Sequence, residues 1–82
     1  MTYFKYSILS QIKSAADEKA VEGVVELSIS RLKSRNVNGH LIQQFIAAMD
    51  KTLDDAKLEE PSEKVLQKMD TAIRLFRKLQ LT

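Results

Sequence analysis

The sequence has little of several residue types on which enzymes and metal sites depend. Its 82 residues include no cysteine, no tryptophan, one histidine, one proline and two glycines. Without cysteine there is no disulfide framework, no thiolate nucleophile and no zinc–thiolate site. A single histidine leaves a metal site or proton relay without a second imidazole. These absences fit a reducing compartment and argue against catalysis. We therefore predict a cytoplasmic protein that is not an enzyme and has no cofactor.

The remaining polar residues form no motif that carries chemistry. Glu18, Glu22 and Glu26 lie four residues apart, but a di-metal bundle would also need a Glu-x-x-His pair. His40 falls at the predicted start of a helix, where it is expected to be exposed. A glycine-rich phosphate loop and a nucleophile elbow are both missing. We interpret these residues as solvated surface and predict no catalytic, cofactor-binding or metal-binding residues.

Long hydrophobic runs are also missing. No stretch approaches the roughly 18 apolar residues of a membrane span. Residues 1–16 lack the basic start and continuous apolar core of a signal peptide. Hydrophobic residues make up 44% of the chain and charged residues 29%, which is ordinary for a globular protein. We expect one soluble helical domain over residues 1–82, without a membrane partner.

Helical periodicity is the main feature of the sequence. Apolar residues recur every three or four positions in residues 41–56 and 65–79, as in amphipathic helices. Gly39 and Pro61 precede these segments and are typical turn residues. The pattern predicts an all-α fold, specifically a small antiparallel helical bundle. Three of the predicted helices cover residues 17–35, 39–57 and 62–80.

Several capping signals agree on a turn before Gly39. A left-handed Asn36 would end one helix and let Val37 pack on Leu32 in a Schellman motif. Asn38 would cap the next helix, with Val37 and Ile42 as a hydrophobic staple. These signals predict a tight helical hairpin.

The first 35 residues allow two arrangements. One apolar stripe lies in residues 4–15 and a second in residues 21–32. At about 100° per residue, extending the first stripe to the second leaves a mismatch of roughly 140°. We place a break at residues 14–18, where Ser14 and Asp17 resemble a capping box, and this gives four helices. An unbroken first helix, with its halves packed on different partners, would give three. Gly23 is costly inside a helix, and we interpret it as a close helix contact.

The charges are distributed unevenly, although the net charge is only +2. In antiparallel neighbours joined by short loops, the second and fourth helices would end together. Helix dipoles account for basic residues at that end. The functional alternative is that they contact phosphates, an anionic surface or an acidic partner. We call this group the basic pole, and it comprises Arg31, Lys33, Arg35, Arg74, Arg77 and Lys78.

A surplus of apolar residues suggests an interface. The second helix presents apolar residues over roughly 200°, which is wider than one neighbour normally covers. A central position in the bundle would explain this width. A symmetric homodimer that completes a small core would explain it too. The candidate interface residues are Tyr3, Tyr6, Leu9, Val24 and Leu27.

Together these observations favour a small non-catalytic helical module for protein–protein interaction or regulation. We expect it to self-associate as a homodimer or to bind another protein. The alternative is a nucleic-acid-associated helical protein that uses the basic pole. Against this alternative, the predicted hairpin helices are longer than those of a helix-turn-helix. Aromatic residues are also not interleaved with the basic ones, as single-strand binding would favour.

Overall fold

The computed structural model describes residues 2–80, and it describes side chains over residues 4–80. This part of the chain forms four α-helices and no strand, which confirms the predicted all-α helical bundle. The first 35 residues contain two helices, so the alternative of one unbroken helix is wrong. The helices are α1 (Thr2–Ser14), α2 (Glu18–Ser34), α3 (Gly39–Lys57) and α4 (Glu63–Leu79).

A helix cap separates α1 from α2. Asp17 has an extended backbone, and its carboxylate accepts a hydrogen bond from the Ala20 N–H at 2.8 Å. This bond satisfies one of the N–H groups that a helix start leaves without a partner. Asp17 is therefore itself the N-cap, and the predicted capping box starting at Ser14 is wrong. Ala15 is buried against the core and anchors the short link.

The turn between α2 and α3 has the predicted backbone. Asn36 is left-handed, with φ of 59°, and the Val37 N–H donates to the Leu32 carbonyl at 3.1 Å. This bond is the one that defines a Schellman motif. The Asn38 side chain accepts a hydrogen bond from the Leu41 N–H at 2.9 Å and caps α3. Both capping predictions at this turn are confirmed.

The helices beyond this turn do not pack as a hairpin. α1 and α4 each contact all three other helices, whereas α2 and α3 contact each other least. The predicted tight hairpin of α2 and α3 is therefore wrong. The capping residues set the path of the backbone through the turn, but burial of the apolar faces decides which helices pack together. Around the bundle the order is α1, α2, α4, α3.

α1 and α3 lie side by side and run in the same direction. Near the start of α1, Phe4 stacks on Phe45 with ring centroids 5.3 Å apart. At its other end, the Lys13 ammonium lies 3.5 Å from a Glu60 carboxylate oxygen, just after α3. Phe76 of α4 packs edge-on against Phe45 at 6.1 Å. The aromatic rings thus join three helices in one core.

The core is formed by the apolar stripes that the sequence predicts. Two polar residues are also buried, and both are satisfied within their own helices. The Ser28 hydroxyl donates to the Val25 carbonyl at 2.7 Å, and the Thr71 hydroxyl donates to the Gln67 carbonyl at 3.0 Å. The fully buried apolar residues include Ile8, Ile12, Val21, Val25, Ile46, Met49, Leu53, Met69 and Phe76.

Gly23 offers a direct test of the packing around α2. A Cβ built on Gly23 would meet no atom within 4 Å, and φ there is not positive. The predicted close helix contact is therefore wrong. We expect Gly23→Ala to raise the free energy of unfolding by about 0.5–1 kcal/mol, because Ala loses less backbone entropy in a helix. Urea denaturation followed by circular dichroism measures the change.

The matched control is Asn36→Ala, which places Ala at the left-handed position. We expect it to lower the free energy of unfolding. A loss of stability in Gly23→Ala would show that α2 approaches a neighbour at this residue after all.

Candidate protein interface

A groove of about 670 Å³ runs between α1 and α3. Tyr6 and Leu9 of α1 form one apolar wall. Ala48, Thr52 and Ala56 of α3 lie four residues apart on the facing side, so they follow one face of the helix. Because these three side chains are small, they leave the space between the helices open. Charged side chains form the rims: Lys5 and Lys13 on α1, and Lys51, Asp55, Glu59 and Glu60 on and just after α3.

Tyr6 is the most exposed aromatic residue among the described side chains. Its side chain is 57% exposed, whereas Phe45 and Phe76 are buried and Phe4 is half-buried. The Lys5 ammonium lies 6.0 Å from the centroid of the Tyr6 ring, at the outer limit of a cation–π contact. Tyrosine is a frequent interface anchor because its ring is apolar and its hydroxyl is polar.

The predicted interface residues do not form one surface. Tyr6 and Leu9 lie together in the groove between α1 and α3. Val24 packs against the core, and Leu27 is 57% exposed on α2. Because α2 contacts α3 least, these two residues do not line the groove with Tyr6. The side chain of Tyr3 lies outside the described residues.

The contribution of α3 to this groove was missed in the sequence. The four-residue spacing of Ala48, Thr52 and Ala56 was visible there, but small residues at helical spacing also occur on solvated faces. Their role depends on a second helix lying beside them. Only the packing of α1 against α3 turns this spacing into the floor of a groove.

A second groove, of about 460 Å³, lies between α3 and α4 and contains ion pairs. The Arg77 Nε lies 3.2 Å from each carboxylate oxygen of Asp50, and its Nη2 lies 3.6 Å from an Asp54 oxygen. The hydrogen bond from Arg77 to Asp50 raises the pKa of the guanidinium. Lys57 pairs with Asp70 further along the same groove. These pairs join two antiparallel helices.

The residues of the basic pole differ in their environment. Leu79 of α4 lines a small groove with Lys33 of α2, so the two helices end side by side. Arg77 is engaged by Asp50 and Asp54, as described above. Within residues 4–80, the other five side chains are exposed and form no ion pair. These five are Arg31, Lys33, Arg35, Arg74 and Lys78.

His40 is exposed at the start of α3, and its Nε2 lies 3.2 Å from the Gln44 side-chain nitrogen. In the described part of the chain, no three His, Asp or Glu side chains are grouped so that they could hold a metal ion. Over residues 2–80, no helix is both long and apolar enough to cross a membrane.

Protein-family models, curated proteins and solved structures all gave no match to the chain.

The ion pairs at Arg77 make a prediction about stability. We expect Arg77→Gln to lower the melting temperature, because it removes the contacts with Asp50 and Asp54. Arg74→Gln is the matched control, since Arg74 lines the same groove and forms no ion pair within the described residues. Thermal unfolding followed by circular dichroism measures both variants. The difference between them should shrink at about 1 M salt, where exposed charges are screened. Equal melting temperatures at low salt would contradict the stabilising role of the pair with Asp50.

Proposed function

We propose that this chain is a small non-catalytic protein-interaction module that binds its partner in the groove between α1 and α3. The observation that carries the proposal is Tyr6, an aromatic side chain left 57% exposed beside Leu9 and a floor of small residues. An isolated exposed leucine would not indicate a binding site, because scattered apolar residues are normal on protein surfaces.

Burial of Tyr6 supplies a driving force for binding. A tyrosine buries roughly 150–250 Å² when fully covered, and somewhat more than half of the side chain is still free. Covering the remainder contributes on the order of 2–3 kcal/mol at about 25 cal/mol per Å². The groove follows two adjacent helices, so an elongated element such as a helix fits it best.

The chemistry of the chain supports a binding role over a catalytic one. The single histidine is exposed and pairs with the Gln44 amide, and the sequence has no second imidazole to complete a proton relay. The chain has no cysteine to act as a nucleophile. We propose a cytoplasmic location, because a chain without cysteine forms no disulfides and therefore does not need an oxidising compartment.

Site-specific crosslinking tests the proposed interface. A photo-crosslinking amino acid replaces Tyr6 in cells that produce the protein, and the control position is Glu22 on α2, which is exposed outside the groove. We expect a discrete crosslinked protein from position 6 and none from position 22. A second change, Leu9→Asp, should remove that product, because a carboxylate in the groove wall opposes apolar contact.

Circular dichroism of the Leu9→Asp variant checks that the fold is retained. Crosslinks of the same pattern from positions 6 and 22, or a pattern that Leu9→Asp leaves unchanged, would contradict the groove as the binding surface.

A second candidate function is phosphate contact by the basic pole. Five exposed cations without ion pairs among the described residues favour it. The test is fluorescence anisotropy with a mixed pool of DNA and RNA at low salt. Binding should weaken as salt rises, and Arg74→Ala should reduce it more than Arg77→Ala, because Arg77 is already held by Asp50. No binding at low salt would remove this candidate.

A further inference from the structure

We propose that the partner in the α1–α3 groove is a second copy of this chain, related to the first by a two-fold axis that reverses the groove direction. This inference rests on the proposed function, since it names the occupant of the same groove. It differs from the sequence-based interface, because it uses α1 and α3 and leaves out Val24 and Leu27 of α2.

The charges on the rims of the groove are sorted along its length. α1 and α3 run in the same direction, with Phe4 beside Phe45 at one end. Lys5 follows Phe4 directly and therefore lies at that end. Lys51 is next along the groove on α3, Asp55 follows one turn later on the same helix face, and Glu59 comes just after the end of α3. The groove is thus basic in its first half.

The second half of the groove is acidic. Asp55 and Glu59 line it together with Glu60, and the one lysine there, Lys13, is paired with Glu60 at 3.5 Å. Within the described residues, Asp55 and Glu59 form no ion pair. The first half of the groove therefore carries two lysines, Lys5 and Lys51, and the second half carries two carboxylates without ion pairs among the described residues, Asp55 and Glu59.

A two-fold axis across the groove makes this pattern self-complementary. Lys51 and Asp55 are four residues apart, about 6 Å along the helix. An axis between them places Lys51 of one copy over Asp55 of the second copy, and the reverse contact forms at the same time. Lys5 comes to the level of Glu59 of the second copy by the same operation.

The symmetric arrangement also buries the exposed apolar surface. Tyr6 follows Lys5 directly and lies near the basic end of the groove, and Leu9 lies about one turn further along α1. The two-fold operation brings the second half of the other copy's groove over both side chains, so they are covered at two equivalent places on either side of the axis. A contact in which both grooves run the same way would place Lys5 and Lys51 near the same lysines of the second copy. The charge pattern therefore specifies the antiparallel orientation.

Charge reversal at the two central positions tests the inference. We expect the unmodified chain to dimerise in sedimentation at about 100 μM, a concentration that detects micromolar dimers. Lys51→Glu alone and Asp55→Lys alone should each weaken the dimer by about tenfold or more, because like charges then face each other twice. An equimolar mixture of the two variants should recover the dimer, since each reversed charge at position 51 then faces a reversed charge at position 55.

Lys64→Glu is the matched control, since Lys64 is exposed on α4 outside the groove and makes the same change of net charge. It should leave the dimer unchanged. Circular dichroism confirms that each variant is folded. Recovery in the mixture is decisive because a variant that merely unfolds is not rescued by another.

A strict monomer at about 100 μM, or a mixture no more dimeric than its separate variants, would overturn the second copy as the partner. If the photo-crosslinking residue at position 6 then captures a different protein, the proposed function stands without this inference. If position 6 gives no specific crosslink and the chain is monomeric, both are overturned.

Discussion

The packing of Phe45 between Phe4 and Phe76 is the contact on which the arrangement of this bundle depends. It holds α1 against α3 at one end and brings α4 beneath both. Without it, α1 would still pack on α2 and α4, but its start would not be held against α3. The groove exists because these rings set two parallel helices side by side, with small residues of α3 facing Tyr6 and Leu9 of α1.

The local structure was largely predictable from the sequence. Asn36, Val37 and Asn38 form the predicted Schellman motif and cap, because these features depend on a few neighbouring residues and on the positive φ that Asn tolerates. The break after α1 was also predicted from the phase of the two apolar stripes. Its cap was misassigned by three residues, since Ser14 and Asp17 are both good N-cap residues and the sequence does not show which N–H groups lie within reach.

The packing of the helices was much less predictable. A short turn between α2 and α3 suggested a hairpin, but the apolar faces of both helices point toward α1 and α4. Gly23 suggested a close contact that the structure does not contain. The candidate site was only partly predictable for the same reason. Tyr6 and Leu9 could be predicted from their position beside the apolar stripe of α1. The small residues of α3 that face them could not, because their role depends on α1 lying across from them; these are Ala48, Thr52 and Ala56. The basic residues of α2 and α4 lie toward the ends of these helices, as expected. Arg77 is nevertheless less free than Arg74 to bind an external anion, because Asp50 and Asp54 already pair with it.

The order of helices around the bundle has a consequence for synthesis of the chain. α4 is made after α1, α2 and α3, and it is one of the two helices that contact all the others. Met69, Ile73 and Phe76 fill the centre of the core from this helix. While the ribosome is still translating this helix, the parts of the three earlier helices that pack on α4 remain uncovered. The nascent chain therefore exposes the surfaces of α1, α2 and α3 that α4 covers until α4 has left the ribosome, and during that interval those surfaces are open to chaperones and to aggregation.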